Sequence, residues 1–193
     1  NTPGVQTVVM YVIGGGCSEL DSAEVNITVN PTPAVVVTPV TNPICNGSNT
    51  NVTASGATSY VWSPASGLSA TTGATVNAFP TVTSTYNIAG TTGSCVGNTS
   101  IEIEVLNPPN AAFTSAADTI DCNTSVLLDG ASSTDVTTFA WTFPGGSPAT
   151  SNASGDMVTF NTAGDQNIQM IVSNSCGTDT AEFTLNVRNN CGI

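Results

Sequence analysis

Few side chains in this sequence can do chemistry, and their types limit it sharply. Six cysteines stand at Cys17, Cys45, Cys95, Cys122, Cys176 and Cys191, beside 13 carboxylates, one basic residue, Arg188, and no histidine. Without histidine neither a Ser-His-Asp nor a Cys-His relay can be built. No Cys-x-x-Cys pair occurs, which removes the spacing a structural zinc site needs. Two carboxyls cleave a glycoside only when they face each other across a cleft about 5 to 9 Å wide. Asp129 and Asp135 are close in sequence, but they fall in a strand-and-turn segment with no sign of a cleft. No catalytic residues are expected. Calcium is the better use for such acids, because Asp118, Asp121, Asp129, Asp135 and Asp156 sit in turn-rich positions and Ca²⁺ takes hard oxygen ligands. EF-hand and RTX-type spacings are both missing, so no cofactor is expected, and Asp129 and Asp135 stand as the candidate Ca²⁺ ligands.

Charge narrows the partners. Only 7% of residues are charged and the formal net charge is −12, whereas an average globular protein carries roughly 25% charged residues. Nothing here can neutralise phosphates, so nucleic acid is excluded as a partner, and an anionic membrane surface likewise. Hydrophobic residues make up 39%, and Val, Ile and Thr recur in short alternating runs, the pattern of half-buried strands rather than of disorder. No apolar run reaches the length of a membrane span. Nor does a basic and apolar leader mark a signal peptide, so a mature form or an excised piece is expected. Six cysteines in a chain rich in Thr, Ser, Asn and Gly point to disulfides and an extracellular setting.

The elements that must position these residues follow a repeat. Cys45, Trp62 and Cys95 are separated by 17 and 33 positions, and Cys122, Trp141 and Cys176 by 19 and 35. Each unit places Cys-Asn before a short alternating strand. A Gly/Pro/Ser turn follows the tryptophan, "SPASGLS" after Trp62 and "FPGGSPATS" after Trp141, and further short strands close the unit. About seven short strands divided by turn residues read as an all-β fold of tandem β-sandwiches. Glu102 and Glu104 alternate with Ile101, Ile103 and Val105 as a solvated strand face. "GVQTVVMYVIGGGC" (residues 4–17) aligns with "GDQNIQMIVSNSC" (residues 164–176), and "AEVNITVNP" with "AEFTLNVRN". Residues 1–30 therefore read as the last hairpin of a truncated domain.

The repeat assigns Cys45 to Cys95 and Cys122 to Cys176, each bridge closing a loop of about 50 residues worth roughly 4 kcal/mol in the loop-entropy account. Cys17 and Cys191 would then pair in flanking domains, or with each other between copies in a polymer. Trp62 and Trp141 have two readings, a sugar-stacking platform or a core tryptophan packed on the bridge. Recurrence with different turn residues favours the core.

With "LLDGASSTD", "FAWTFPGG", "VTFNTAG" and "GTDTAEFTLNV", the unit from about Ala111 to Val187 resembles a PKD domain of the kind found in secreted proteins of Bacteroidota. It departs where that family has an aromatic after the "AG" turn, since Gln166 stands there, and Gln6 in the first fragment. The unit beginning "ICNGSNTNVTASGATSYVWSPASGLS" is similar to Ig-like repeats of long surface proteins in that phylum, including gliding-motility adhesins exported by the type IX pathway. The resemblance implies a division into a PKD-like hairpin (1–30), an Ig-like sandwich (31–107), a PKD sandwich (108–187) and the start of another domain (188–193). It also implies O-glycosylation at Asp-Ser/Thr-apolar tripeptides, hence at Ser22, Thr119 and Thr180. The Asn-x-Ser/Thr sequons at Asn26, Asn46, Asn51, Asn98, Asn123 and Asn152 are expected to be incidental. The function implied is a non-catalytic segment of an extracellular adhesin, stalk or filament on a bacterial surface, partnered by neighbouring repeats and surface glycans, without membrane insertion. Its alternative is a glycan-binding or spacer module of a secreted hydrolase.

Overall fold

The computed structural model describes residues 3–12 and 21–190. In chain order the strands are β1 (Gly4–Val12), β2 (Asp21–Val29), β3 (Val36–Pro39), β4 (Ile44–Cys45), β5 (Thr50–Ser55), β6 (Ser59–Ser63) and β7 (Thr75–Ala78). They continue with β8 (Ser84–Thr92), β9 (Cys95–Ile103), β10 (Val105–Leu106), β11 (Thr114–Ser115), β12 (Thr119–Asp121) and β13 (Thr124–Asp129). The remainder are β14 (Thr138–Thr142), β15 (Gly146–Ser147), β16 (Thr150–Ser151), β17 (Gly155–Phe160), β18 (Gly164–Asn174) and β19 (Gly177–Arg188). The fold is all-β, built of tandem β-sandwiches.

The chain forms two compact units. One gathers Asn1–Asn42, Asn49–Pro80 and Ser84–Ile103; the other gathers Pro43–Ser48, Thr81–Thr83 and Glu104–Ile193. In the first, β3-β5-β7 and β6-β8-β9 are three-stranded antiparallel sheets, and β1 with β2 is a two-stranded sheet of its own. Successive side chains on a strand point to opposite faces, so an alternating sequence buries every second residue. Thus β5 buries Thr50, Val52 and Ala54, β6 buries Tyr60 and Trp62, and β8 buries Tyr86 and Ile88. The two buried phenols are satisfied: Tyr60 donates to the Ala57 carbonyl at 2.8 Å, and Tyr86 donates to that of Ser66 at 3.0 Å. Burial pushes the Tyr86 hydroxyl pKa up.

The second unit stacks β11-β13-β17-β15 and β12-β19-β18-β14-β16. Its core holds Val126, Leu128, Trp141, Phe143, Val158, Phe160, Ile168, Met170, Val172 and Leu185. Phe113 meets Trp141 edge-on at 4.9 Å between ring centroids, and Trp141 stacks on Phe143 at 5.6 Å, arrangements that add about 0.5–1.5 kcal/mol per pair beyond area burial.

The corner at which Gln166 replaces the family's aromatic is closed by a hydrogen bond. The Gln166 side-chain Nε2 donates to the Thr162 carbonyl at 3.1 Å, and the side chain is buried. Its amide lies over Gly145, where a Cβ would come within 2.8 Å of the Gln166 Oε1 and where φ is +70°. Glycine is the residue that occupies such a φ without strain.

Candidate functional site

Neither tryptophan is available as a platform. Trp62 and Trp141 are each 2% exposed, and their indole nitrogens donate to the Gly73 and Ala153 carbonyls at 2.9 Å. Across the neighbouring strand Trp62 stands opposite Ile88, and Trp141 opposite Met170. In each unit the partner of the tryptophan is a buried aliphatic side chain, where the sequence had placed a disulfide.

The cysteines correct both expected bridges. Cys45 is bonded to Cys176, with Cα atoms 5.5 Å apart, so neither Cys45 to Cys95 nor Cys122 to Cys176 exists. Cys122 is disulfide-bonded as well, and Cys95 is a free thiol. Cys17 and Cys191 lie outside the described residues. An immunoglobulin-type bridge needs both cysteines mid-strand on core-facing positions. Here Cys95 opens β9 beside the β8–β9 turn, opposite Thr92, and Cys176 sits in the β18–β19 turn between Asn174 and Gly177. Neither can reach across a core from a hairpin tip. Cys45 lies on β4, a two-residue strand parallel to β10.

Around the bond a polar hub forms that the sequence did not reveal. The Asn174 Nδ2 donates to the carbonyls of Asn107 and Asp135 at 2.8 and 2.7 Å, and its Oδ1 accepts from the Cys176 amide at 2.7 Å. The amide of Asn46 donates to the Leu106 carbonyl at 2.8 Å, and the Asn46 side chain donates to Asn107 Oδ1 at 3.1 Å. One asparagine thus ties the hairpin turn to two other segments. Its only mark in the sequence is its place two residues before Cys176.

The candidate acids do not converge. The Asp129 Oδ1 accepts from the Ala131 amide at 2.9 Å, an Asx turn. Asp135 takes up a left-handed backbone at φ 58° and offers its main-chain oxygen to Asn174. A surface hollow beside it is lined by Leu106, Asn107, Val136, Thr137, Asn174 and Ser175, with Asp135 its single acid. Among the described residues no group of three or more His, Cys, Asp or Glu side chains is placed to hold a metal. Asp179 anchors a backbone segment far from it in sequence. Its Oδ2 accepts from the Ala111 amide at 2.8 Å, and that bond, with a second from the Thr180 amide, holds its pKa below the usual carboxylate range. Ser22, Thr119 and Thr180 are all exposed, on β2, β12 and β19, and Ser22 and Thr180 occupy matching positions in their hairpins.

Residues 108–187 match the sequence family described as PKD-like domain. The match is confined to those residues, which belong to the second compact unit. No curated protein matches it. Among solved structures the chain is similar to an I-band fragment of titin, at 12% identity and a TM-score of 0.55, over 83% of this chain and 67% of that one. It is also similar to the N-terminal eight Ig domains of Down Syndrome Cell Adhesion Molecule, at 10% identity and a TM-score of 0.53, over 96% of this chain and 28% of that one. Sidekick-1 immunoglobulin domains 1–4 follow at 15% and 0.50, over 89% and 55%. These likenesses show the shared fold. No helix among the described residues is long and apolar enough to cross a membrane.

Two outcomes are expected. Non-reducing peptide mapping should link Cys45 with Cys176 and find Cys95 alkylated in the native protein, and Cys45→Ser with Cys176→Ser should cost about 2–5 kcal/mol. A Cys45–Cys95 peptide would contradict the structure. For Asp179 the folded pKa is the lower one, so its contribution is present above the ordinary carboxylate pKa and is lost as pH falls through the folded value. Melting followed from pH 7 to 2 should therefore show a shallower acid decline in Asp179→Asn than in the parent.

Proposed function

We propose that the chain is a non-catalytic, load-bearing repeat segment of an extracellular adhesin, stalk or filament on a bacterial surface. The observation that carries this reading is the Cys45–Cys176 bond, which closes a sequence separation of 131 residues. Tension applied to the chain outside that loop passes through the covalent bond. The enclosed strands β5 to β18 are then withheld from extension, while β3 and β19, which pair with β5 and β18, lie outside the loop. An extended chain spans about 3.3–3.6 Å per residue, so the bond withholds roughly 430–470 Å of backbone from extension. A structural disulfide fits an oxidising, extracellular location.

The division into 1–30, 31–107, 108–187 and 188–193 belongs to the same proposal, as does its kinship with the surface adhesins the middle unit resembles. The lack of histidine, which leaves no Ser-His or Cys-His relay to build, supports a non-catalytic role. A glycan-stacking role loses its natural platform with both tryptophans buried. The exposed hydroxyls of Ser22, Thr119 and Thr180 remain the proposed O-glycosylation positions.

Stretching single molecules by their ends should release roughly 430–470 Å more backbone with reductant than without it; equal release in both conditions would refute load bearing by the bond. Intact mass of protein purified from its native source should exceed that of the bare polypeptide by whole glycans, and a mass equal to the polypeptide removes the glycosylation proposal.

A further inference from the structure

The two-stranded sheet β1–β2 repeats the register of β18–β19 pair for pair. Gly4 faces Val29 as Gly164 faces Val187, Gln6 faces Ile27 as Gln166 faces Leu185, and Val8 faces Val25 as Ile168 faces Phe183. Met10 faces Ala23 as Met170 faces Ala181. The two opening glycines also share a left-handed backbone, φ +125° at Gly4 and +113° at Gly164. Matching burial is absent. Ile168, Met170 and Leu185 are 0% exposed, whereas Val8, Met10 and Ile27 are 50%, 62% and 50% exposed.

What covers β18–β19 is on view in the same molecule. β14 lies along β18, with Trp141 opposite Met170, β12 lies along β19, and β11-β13-β17-β15 supplies the facing sheet. A face with the same register and the same residue types calls for the same cover. A second copy of this chain is a poor source, because its own β18–β19 fills that place in an eleven-pair ladder and its turn is bonded through Cys176. The residues that lead into β1 indicate another source. Asn1-Thr2-Pro3-Gly4 matches Asn161-Thr162-Ala163-Gly164, the link from β17 into β18, at three of four positions.

We propose that β1–β2 is the closing hairpin of a PKD-like sandwich, and that its Val8, Met10, Val25 and Ile27 face docks onto counterparts of β11 to β17 supplied in the same polypeptide through Asn1. This rests on the tandem-repeat reading above, which the stretching experiment tests without involving β1–β2. The three methionines give a direct readout, since peroxide converts exposed methionine to the sulfoxide. In the chain as it stands Met10 and Met157, 62% and 54% exposed, should oxidise readily, and Met170, 0% exposed, slowly.

Joining a second copy of residues 108–160 ahead of Asn1, so that residues 1–3 serve as the link, should slow Met10 oxidation at least tenfold while leaving Met157 unchanged. To guard against a fused segment that fails to fold, residues 4–29 are grafted in place of 164–187 of the intact chain. The proposal expects the graft to unfold cooperatively with Trp141 fluorescence still that of a buried indole. Unchanged Met10 oxidation in the fusion, together with a graft that exposes Trp141, overturns it. So does a chain that sediments as a dimer with Met10 already protected, because a second copy would then fill the face.

Discussion

Trp141 lies between Phe113 and Phe143, opposite Met170, and much of the second unit is arranged to keep that contact dry. The indole is the largest side chain on the inner face of its sheet, and its single polar atom finds a carbonyl at Ala153. Burying an aromatic of this size is a large share of what a small sandwich can gain, so the strands that flank it must hold their register. A slip of one residue would turn Trp141, Ile168, Met170 and Leu185 to solvent together. The first unit uses the same device with Trp62 opposite Ile88.

Because so few residues are charged, polar completion falls to amides and hydroxyls. The Arg188–Asp121 ion pair, at 2.9 Å, is exposed on both sides, and such pairs contribute about 0–1 kcal/mol. Buried groups are handled locally instead, Gln166 on the Thr162 carbonyl and Tyr60 on Ala57, while the half-buried Asn174 joins distant segments. Among the described residues no buried side-chain nitrogen or oxygen lacks a partner. Short-range hydrogen bonds of this kind are insensitive to salt, unlike surface ion pairs, which suits a domain exposed to a changing medium.

The Cys45–Cys176 bond spans far more of the chain than either expected bridge. Two separate intradomain bridges would each have stiffened one core. A single bond that encloses β5 to β18 instead keeps those strands from extending as long as it is oxidised. The unmatched β1–β2 face fits the same economy of repeated parts: a hairpin of one design appears twice, once inside a completed sandwich and once without its cover.

The sequence by itself determined which residues face inward, because burial alternates with the two-residue period of a strand and that period is a local property of the backbone. Trp62 and Trp141 were legible as core residues from the recurrence of their surroundings in two units. It also determined that no histidine-based chemistry is possible, and it showed residues 4–12 as a counterpart of 164–172, with Gly, Gln, Met and Val at the same places. Only the tertiary structure decided the cysteine partners and the hub at Asn174. A disulfide requires Cα atoms about 5.5 Å apart, and which strand ends come that close depends on how hairpin tips and short parallel strands meet. Cys45 and Cys176 are 131 residues apart, a distance over which local periodicity carries no information.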